Sequence, residues 1–204
     1  MGPRNHRSRI FGALLVAVLC SVALAAKKPL TDEPLQWKPT SDIRLGQLEK
    51  PTASIQFEPF KDVRANPQAI GQNREDKEPK PVTTKDDVGA FVSTHIRELF
   101  NKVGYTTVDS GGSITIKGEV KDFFVDETDT YHGTFVVHLT VIGPNGATLW
   151  SGNASGEASR FGRSYKLENY YEVLSDAVVN TVSSMLQAAE FQRALSGHAI
   201  GAGT

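Results

Sequence analysis

The sequence predicts an α+β fold, a small antiparallel sheet of about four strands in the order β-α-β-β-β-α with two helices packed on one face. Three observations predict it. Apolar residues recur at spacings of three and four in two windows, Val88 to Val103 and Tyr171 to Ala189. The period changes to two between them, across Ile114–Val120 and Thr134–Val141. Gly143-Pro144-Asn145-Gly146 then marks a hairpin turn into a last alternating run.

The first strand is expected from Ile55 and Phe57, alternating with Gln56 and Glu58, with Pro59 demoting its second half to an edge or bulge. Residues 72–82 hold almost no apolar atoms and two prolines, and they read as a mobile surface loop. Thr84-Lys85-Asp86-Asp87 has a hydroxyl with an acid three residues on, a capping-box variant. The helix after it turns Val88, Phe91, Val92, Ile96, Leu99 and Val103 to one face and stops at Gly104, with His95 at the shoulder as a satisfied boundary histidine.

Past Gly111-Gly112, Ile114, Ile116, Gly118 and Val120 share a face, and Phe123-Phe124-Val125 breaks the parity as a bulge or strand end does. Phe135, Val137, Leu139 and Val141 line the covered side of the next strand. On the return strand Gly152, Ala154, Gly156 and Ala158 leave room for a helix to approach, or for a shallow groove. Asn169-Tyr170-Tyr171-Glu172 reads as the cap of the last helix, whose stripe is Tyr171, Leu174, Val178, Val182, Met185 and Ala189, extended by Phe191 and Leu195.

Around this domain, placed at 53–195, lie three extensions. Residues 1–25 read as a secretory signal peptide: Arg4, Arg7 and Arg9, an apolar run from Ile10 to Leu24, and small residues for cleavage after Ala25 or Ala26. A lipoprotein signal is the minority alternative, with lipid on Cys20, but Leu19 puts a bulky residue where lipid attachment wants a small one. Residues 26–52, with Pro29, Pro34, Pro39 and Pro51, read as an extended proline-rich tether, either a spacer that docks a partner through Trp37 or a strap across its own domain. Residues 196–204 read as a disordered tail.

Composition narrows the function. The chain of 204 residues can bury a core without staples, and Cys20, its single cysteine, falls within the signal. Disulfide frameworks, thiol catalysis and cysteine-built zinc sites are thereby excluded for the exported chain. Removing residues 1–25 takes away three arginines and no acid, so the formal charge moves from −1 to −4, which gives no footing for nucleic acid.

No catalytic constellation is legible. In Gly152-Asn153-Ala154-Ser155-Gly156 the serine is one place too late for a nucleophile elbow. His132 and His138 stand about 20 Å apart along one strand, too far to share a metal. Asp126, Glu127 and Asp129 crowd a turn but lack the glycine and closing glutamate of a calcium loop, and they read as a solvated hairpin tip. The candidate binding residues are therefore Arg160, Phe161, Arg163, Tyr165 and Lys166, where guanidinium and ammonium groups alternate with aromatics that stack on sugars. The plainer reading is aromatics covering a core edge. Arg64 is a further candidate: beside Asp62 and before Asn66-Pro67 it either ties down a turn or faces a ligand.

Several strings recur together over roughly residues 53–192: Phe60-Lys61-Asp62-Val63-Arg64, Ile70-Gly71, Val103-Gly104-Tyr105, the strand from Ile114 to Val120, the hairpin from Gly146 to Trp150, and Leu174-Ser175-Asp176-Ala177-Val178. In these the chain resembles the YajG-type family of uncharacterised bacterial lipoproteins. The resemblance implies a bacterial envelope location and brings no reaction and no catalytic residues. The expectation is a non-enzymatic cell-envelope protein, periplasmic or outer-membrane associated, that binds or scaffolds another envelope component. Its expected partner is an envelope protein or an anionic glycan or lipid, with membrane association if Cys20 is lipidated, and with no cofactor or metal. The alternative is a lipid- or glycolipid-binding accessory protein of an envelope transport system, holding its ligand between the sheet and a displaced helix.

Overall fold

The computed structural model describes residues 28–43, 45 and 52–198. The signal peptide with Cys20 and the end of the tail lie outside the described residues.

Strands β6 (Ile114–Glu127), β7 (Thr130–Ile142) and β8 (Thr148–Phe161), numbered in chain order, form the expected antiparallel meander. Alternation builds it: Tyr131, Phe135, Val137, Leu139 and Val141 are buried on one side of β7, and the residues between them are wetter. The parity break is a bulge. The β6–β7 register shifts between Val120 and Asp122, so Phe123, Val125 and Glu127 continue the covered face. At the β7–β8 turn Gly146 takes φ +79° and Asn145 Oδ1 accepts from the Ala147 N–H.

The small four-stranded antiparallel sheet is corrected to an eight-stranded mixed one. β1 (Ile55–Phe57), β2 (Lys61–Asp62) and β3 (Ala69–Asn73) lie in succession along the other side of β6, each parallel to it. β5 (Thr107–Val108) adds to β1. Strands of two or three residues are too short to show a period, and parallel pairing across 50 residues of sequence leaves no local mark. The loop expected at 72–82 is likewise corrected: Gln72 and Asn73 pair with Pro81 and Lys80 of β4 (Lys80–Thr83). Proline is admissible there because β4 is an edge strand.

Helix α1 (Val88–Lys102) starts at Asp87, whose carboxylate accepts from the Ala90 N–H, while Thr84 caps only the Asp86 N–H. The capping residue is therefore Asp87, three places after the expected one. Gly104 supplies the stop with φ +89°. Helix α2 (Leu167–Gln187) begins two residues before the expected Asn169 cap, and its N-cap, Lys166, makes no side-chain cap bond. Ala188 breaks the helix, and α3 (Ala189–Leu195) buries Phe191 and Leu195 while Ala189 faces solvent.

Both long helices lie on one face of the sheet. Phe91 of α1 meets Phe123 edge-on, and Phe123 meets Phe135 of β7 in the same way. Helix α2 covers β7 and β8. Its approach is close: a Cβ at Gly156 would stand 2.5 Å from Thr181 Oγ1 and 2.6 Å from the Ala177 carbonyl oxygen. The small covered face of β8 is thus a seat for the helix.

Candidate functional site

The cationic stretch occupies one corner of the sheet, at the end of β8 and the start of α2. Arg160 forms an ion pair with Glu172 of α2. Arg163 stands 3.8 Å from Asp129 at the tip of the β6–β7 hairpin, a loose and exposed pair. Lys166 is exposed, and its backbone N–H donates to the Tyr131 hydroxyl at 3.1 Å. Phe161 stands out because it is 83% exposed, whereas the other phenylalanines among the described residues are buried or half-buried.

Tyr165 belongs to the interior of this corner. It is buried, takes φ +48°, and its hydroxyl donates to the Pro81 carbonyl at 3.0 Å while accepting the Leu30 N–H at 3.1 Å. Its own N–H donates to Glu127 Oε1 at 2.8 Å, and the Tyr170 hydroxyl donates to Glu127 Oε2 at 2.7 Å. Glu127 is fully buried. The solvated-tip reading therefore holds for Asp129 but is corrected for Glu127, which anchors the start of α2. Burial pushes the Tyr170 phenol well above its ordinary range, and the Glu127 charge adds to the shift. Sequence reasoning missed this pair. The signal that could have found it is parity: once the bulge is placed, Phe123, Val125 and Glu127 share a face.

Arg64 lies elsewhere, beyond β6 and β7 from β8, in the loop between β2 and β3. Its guanidinium spends five donors on the fold: Nε and an Nη2 proton on Asp62 at 2.9 and 2.7 Å, Nη1 on the Ala69 and Phe123 carbonyls at 2.6 and 3.0 Å, and Nη2 again on the Pro67 carbonyl at 2.5 Å. The pair is nearly buried. The structure thus brings Arg160, Phe161, Arg163, Tyr165 and Lys166 together and leaves Arg64 apart. A shallow depression of about 600 Å³ lies beside Arg64, floored by Gly71, Asp122 and Phe124, and burial raises the Asp122 carboxyl above its usual range.

The N-terminal strap reaches the same corner. Leu30 bridges to Val82 of β4. From there the chain crosses both helices: Leu35 N–H donates to Asp86, Lys38 N–H to Ser175, and Thr40 and Ser41 N–H both to Asp176. Trp37 stacks on His95 with ring centroids 4.3 Å apart and meets Phe91 edge-on.

Among the described residues no group of three or more His, Cys, Asp or Glu is placed to hold a metal ion. His132 bonds Ser159, and His138 bonds Asn153 and Ser151, all on the wet face of the sheet. No helix among the described residues is long and apolar enough to cross a membrane.

No protein-family model and no curated protein matches the sequence. Solved structures with a similar chain path include protein XCC0632 from Xanthomonas campestris, of the DUF330 family, at 9% identity and TM-score 0.49 over 78% of this chain and 90% of that one. A PelC dodecamer from Paraburkholderia phytofirmans shares 12% identity at TM-score 0.43 over 77% and 96% of the two chains. The lipoprotein GNA1162 from Neisseria meningitidis shares 16% identity at TM-score 0.36 over 65% and 99%. At these values the likenesses assign neither family nor role to this chain.

Proposed function

We propose that this is a non-enzymatic protein of the bacterial envelope that binds another envelope component through the corner formed by Phe161, Arg163 and Lys166. The observation that carries the reading is Phe161, an aromatic ring 83% exposed that lies in sequence between Arg160 and Arg163, whereas the other phenylalanines among the described residues are buried or half-buried. Two further features support it. The signal-like leader and the resemblance to YajG-type lipoproteins support an envelope location. The buried titratable groups behind the corner, Glu127, Tyr165 and Tyr170, are engaged in holding the fold. The carrier alternative needs α2 lifted from the sheet, and α2 is seated on Gly156 instead.

The test places a photo-crosslinking phenylalanine analogue at Phe161 and, as a control, at Asn145 on the hairpin at the far end of β8. Irradiated envelopes are expected to give a discrete adduct from Phe161 that weakens when Arg163 and Lys166 are both changed to alanine. Equal adducts from Phe161 and Asn145, or none from Phe161, overturn the reading.

A further inference from the structure

The two edges of the sheet are finished differently. On β4 the edge carries Pro81, which has no N–H to offer, and Leu30 of the strap bridges Val82. On the opposite side β8 runs for 14 residues and, among the described residues, pairs only with β7. Between Thr148 and Ser159 it contains no proline, no lysine and no arginine, and Glu157 is its one charged residue.

Which groups of β8 point outward follows from one bond. Asn180 Nδ2 of α2 donates to the Glu157 carbonyl at 2.8 Å, which puts that carbonyl on the free side. In an antiparallel ladder alternate residues turn both backbone groups the same way. Ser151, Asn153, Ser155 and Ser159 therefore present their N–H and C=O groups along the same open edge as Glu157. On the covered face Gly152, Ala154, Gly156 and Ala158 stay half-exposed under α2, which reaches the rim through Asn180.

We propose that this edge pairs with β8 of a second copy of the chain, antiparallel across a two-fold axis at Ser155, which joins two sheets into one. The register is set by the outward-facing residues: Ser155 opposes itself, Asn153 opposes Glu157, and Ser151 opposes Ser159. These are pairs that form hydrogen bonds and set no like charges against each other. On the covered face Ala154 opposes Gly156, Gly152 opposes Ala158, and Arg160, paired with Glu172 of its own chain, falls opposite Trp150. The small residues give the two copies of α2 room to come side by side and cover the half-exposed row. Asn180 gives up one bond by a side-chain rotation. A symmetric contact of this kind needs the same patch to be complementary to itself, and residues 150–160 are. The pairing ends before Phe161, so it leaves the corner contact free and stands or falls separately from it.

Ser155 supplies the test. The exported chain carries no cysteine after Cys20, so Ser155→Cys introduces a single thiol at the axis, where facing Cα atoms about 5.5 Å apart fall within disulfide range. Sedimentation velocity of the unsubstituted exported chain is expected to show a monomer–dimer equilibrium below about 100 µM. Ser155→Cys is expected to oxidise to a covalent dimer, whereas Asn145→Cys on the hairpin tip stays monomeric. Ser155→Lys sets two ammonium groups against each other and is expected to weaken the dimer at least about tenfold, with the melt unchanged. A chain that stays monomeric at about 100 µM, or an Asn145→Cys that crosslinks as readily as Ser155→Cys, overturns the proposal. If an added extended peptide protects the edge amides of a strictly monomeric chain from exchange, the occupant is a different strand and the proposal also fails.

Discussion

Removing the Tyr170 hydroxyl is the sharpest probe of what orders the start of α2. Tyr170→Phe keeps the ring, which meets Tyr131 edge-on at 5.2 Å, and deletes only the donor that stands 2.7 Å from Glu127 Oε2. Glu127 is fully buried, so water cannot replace the lost bond. A hydrogen bond to a charged acceptor contributes about 1.5–3 kcal/mol, and leaving that acceptor short adds to the loss, so about 2–3 kcal/mol is expected. Glu127→Gln preserves volume but turns one acceptor into a donor, and it is expected to cost a similar amount. Because the two changes remove the same interaction, the double variant should cost at least about 1 kcal/mol less than their sum. Urea unfolding followed by tryptophan fluorescence measures all three, with Trp37 reporting the strap and Trp150 the β8 edge. A Tyr170→Phe cost under about 0.5 kcal/mol, or strict additivity, would refute the account of Glu127 as the anchor.

Val137 is fully buried between the sheet and α2, and Val137→Asp is expected to cost more than about 3 kcal/mol and abolish a cooperative melt, as followed by circular dichroism. Trp37→Ala removes the stack on His95 and is expected to raise the rate of limited proteolysis within residues 28–43 roughly tenfold while the strands of the meander stay resistant. The Tyr171 hydroxyl donates to the Pro34 carbonyl, and burial, assisted by the charges of Glu33, Asp86 and Glu168, pushes its phenol up to about 12. An acid whose folded value is raised loses its proton first in the unfolded chain, so the contribution of Tyr171 to stability falls as pH rises from about 10 towards 12, by about 2–3 kcal/mol, and the raised Tyr170 phenol adds to the loss. Urea midpoints at pH 9 and pH 11.5 should show that loss in the unsubstituted chain and a smaller one in Tyr171→Phe.

The meander and both long helices are legible in the sequence because each repeats its period over many residues: β7 shows six buried positions in strict alternation, and α1 turns Val88, Val92, Ile96 and Leu99 inward. The remaining strands are not legible for a physical reason. β2 and β5 are two residues long, and β1 to β3 gain their partners only when β6 is laid beside them. Pro81 reads as a loop residue because nothing local says that β4 is an edge. At the site, Arg64 with Asp62 could be read as a turn-forming pair, but the carbonyls of Ala69 and Phe123 that complete its shell come from outside the motif. Glu127 is hidden by its neighbours, since Asp126, Thr128 and Asp129 make the segment look wet until parity is counted through the bulge.

The failure of the capping rule at α2 shows how the corner is assembled. With lysine at its N-cap the helix has no side-chain cap, its Asn169 N–H turns to the Lys166 carbonyl at 3.1 Å, and the residues just before it need holding by other means. Here the supports come from across the fold: Tyr131 accepts the Lys166 N–H, Glu127 accepts the Tyr165 N–H, and the strap ties Leu30 to the Tyr165 hydroxyl. Tyr165 pays for this arrangement with a left-handed backbone that a side chain seldom adopts. Every later bond of the strap to α2 falls in its first three turns, at Glu168, Tyr171, Ser175 and Asp176. The helix start, the strap and the β6–β7 hairpin tip are therefore one cooperative unit, and the same unit fixes where Phe161, Arg163 and Lys166 stand. These residues lie on a loop, yet what positions them is a buried carboxylate that no local motif announces.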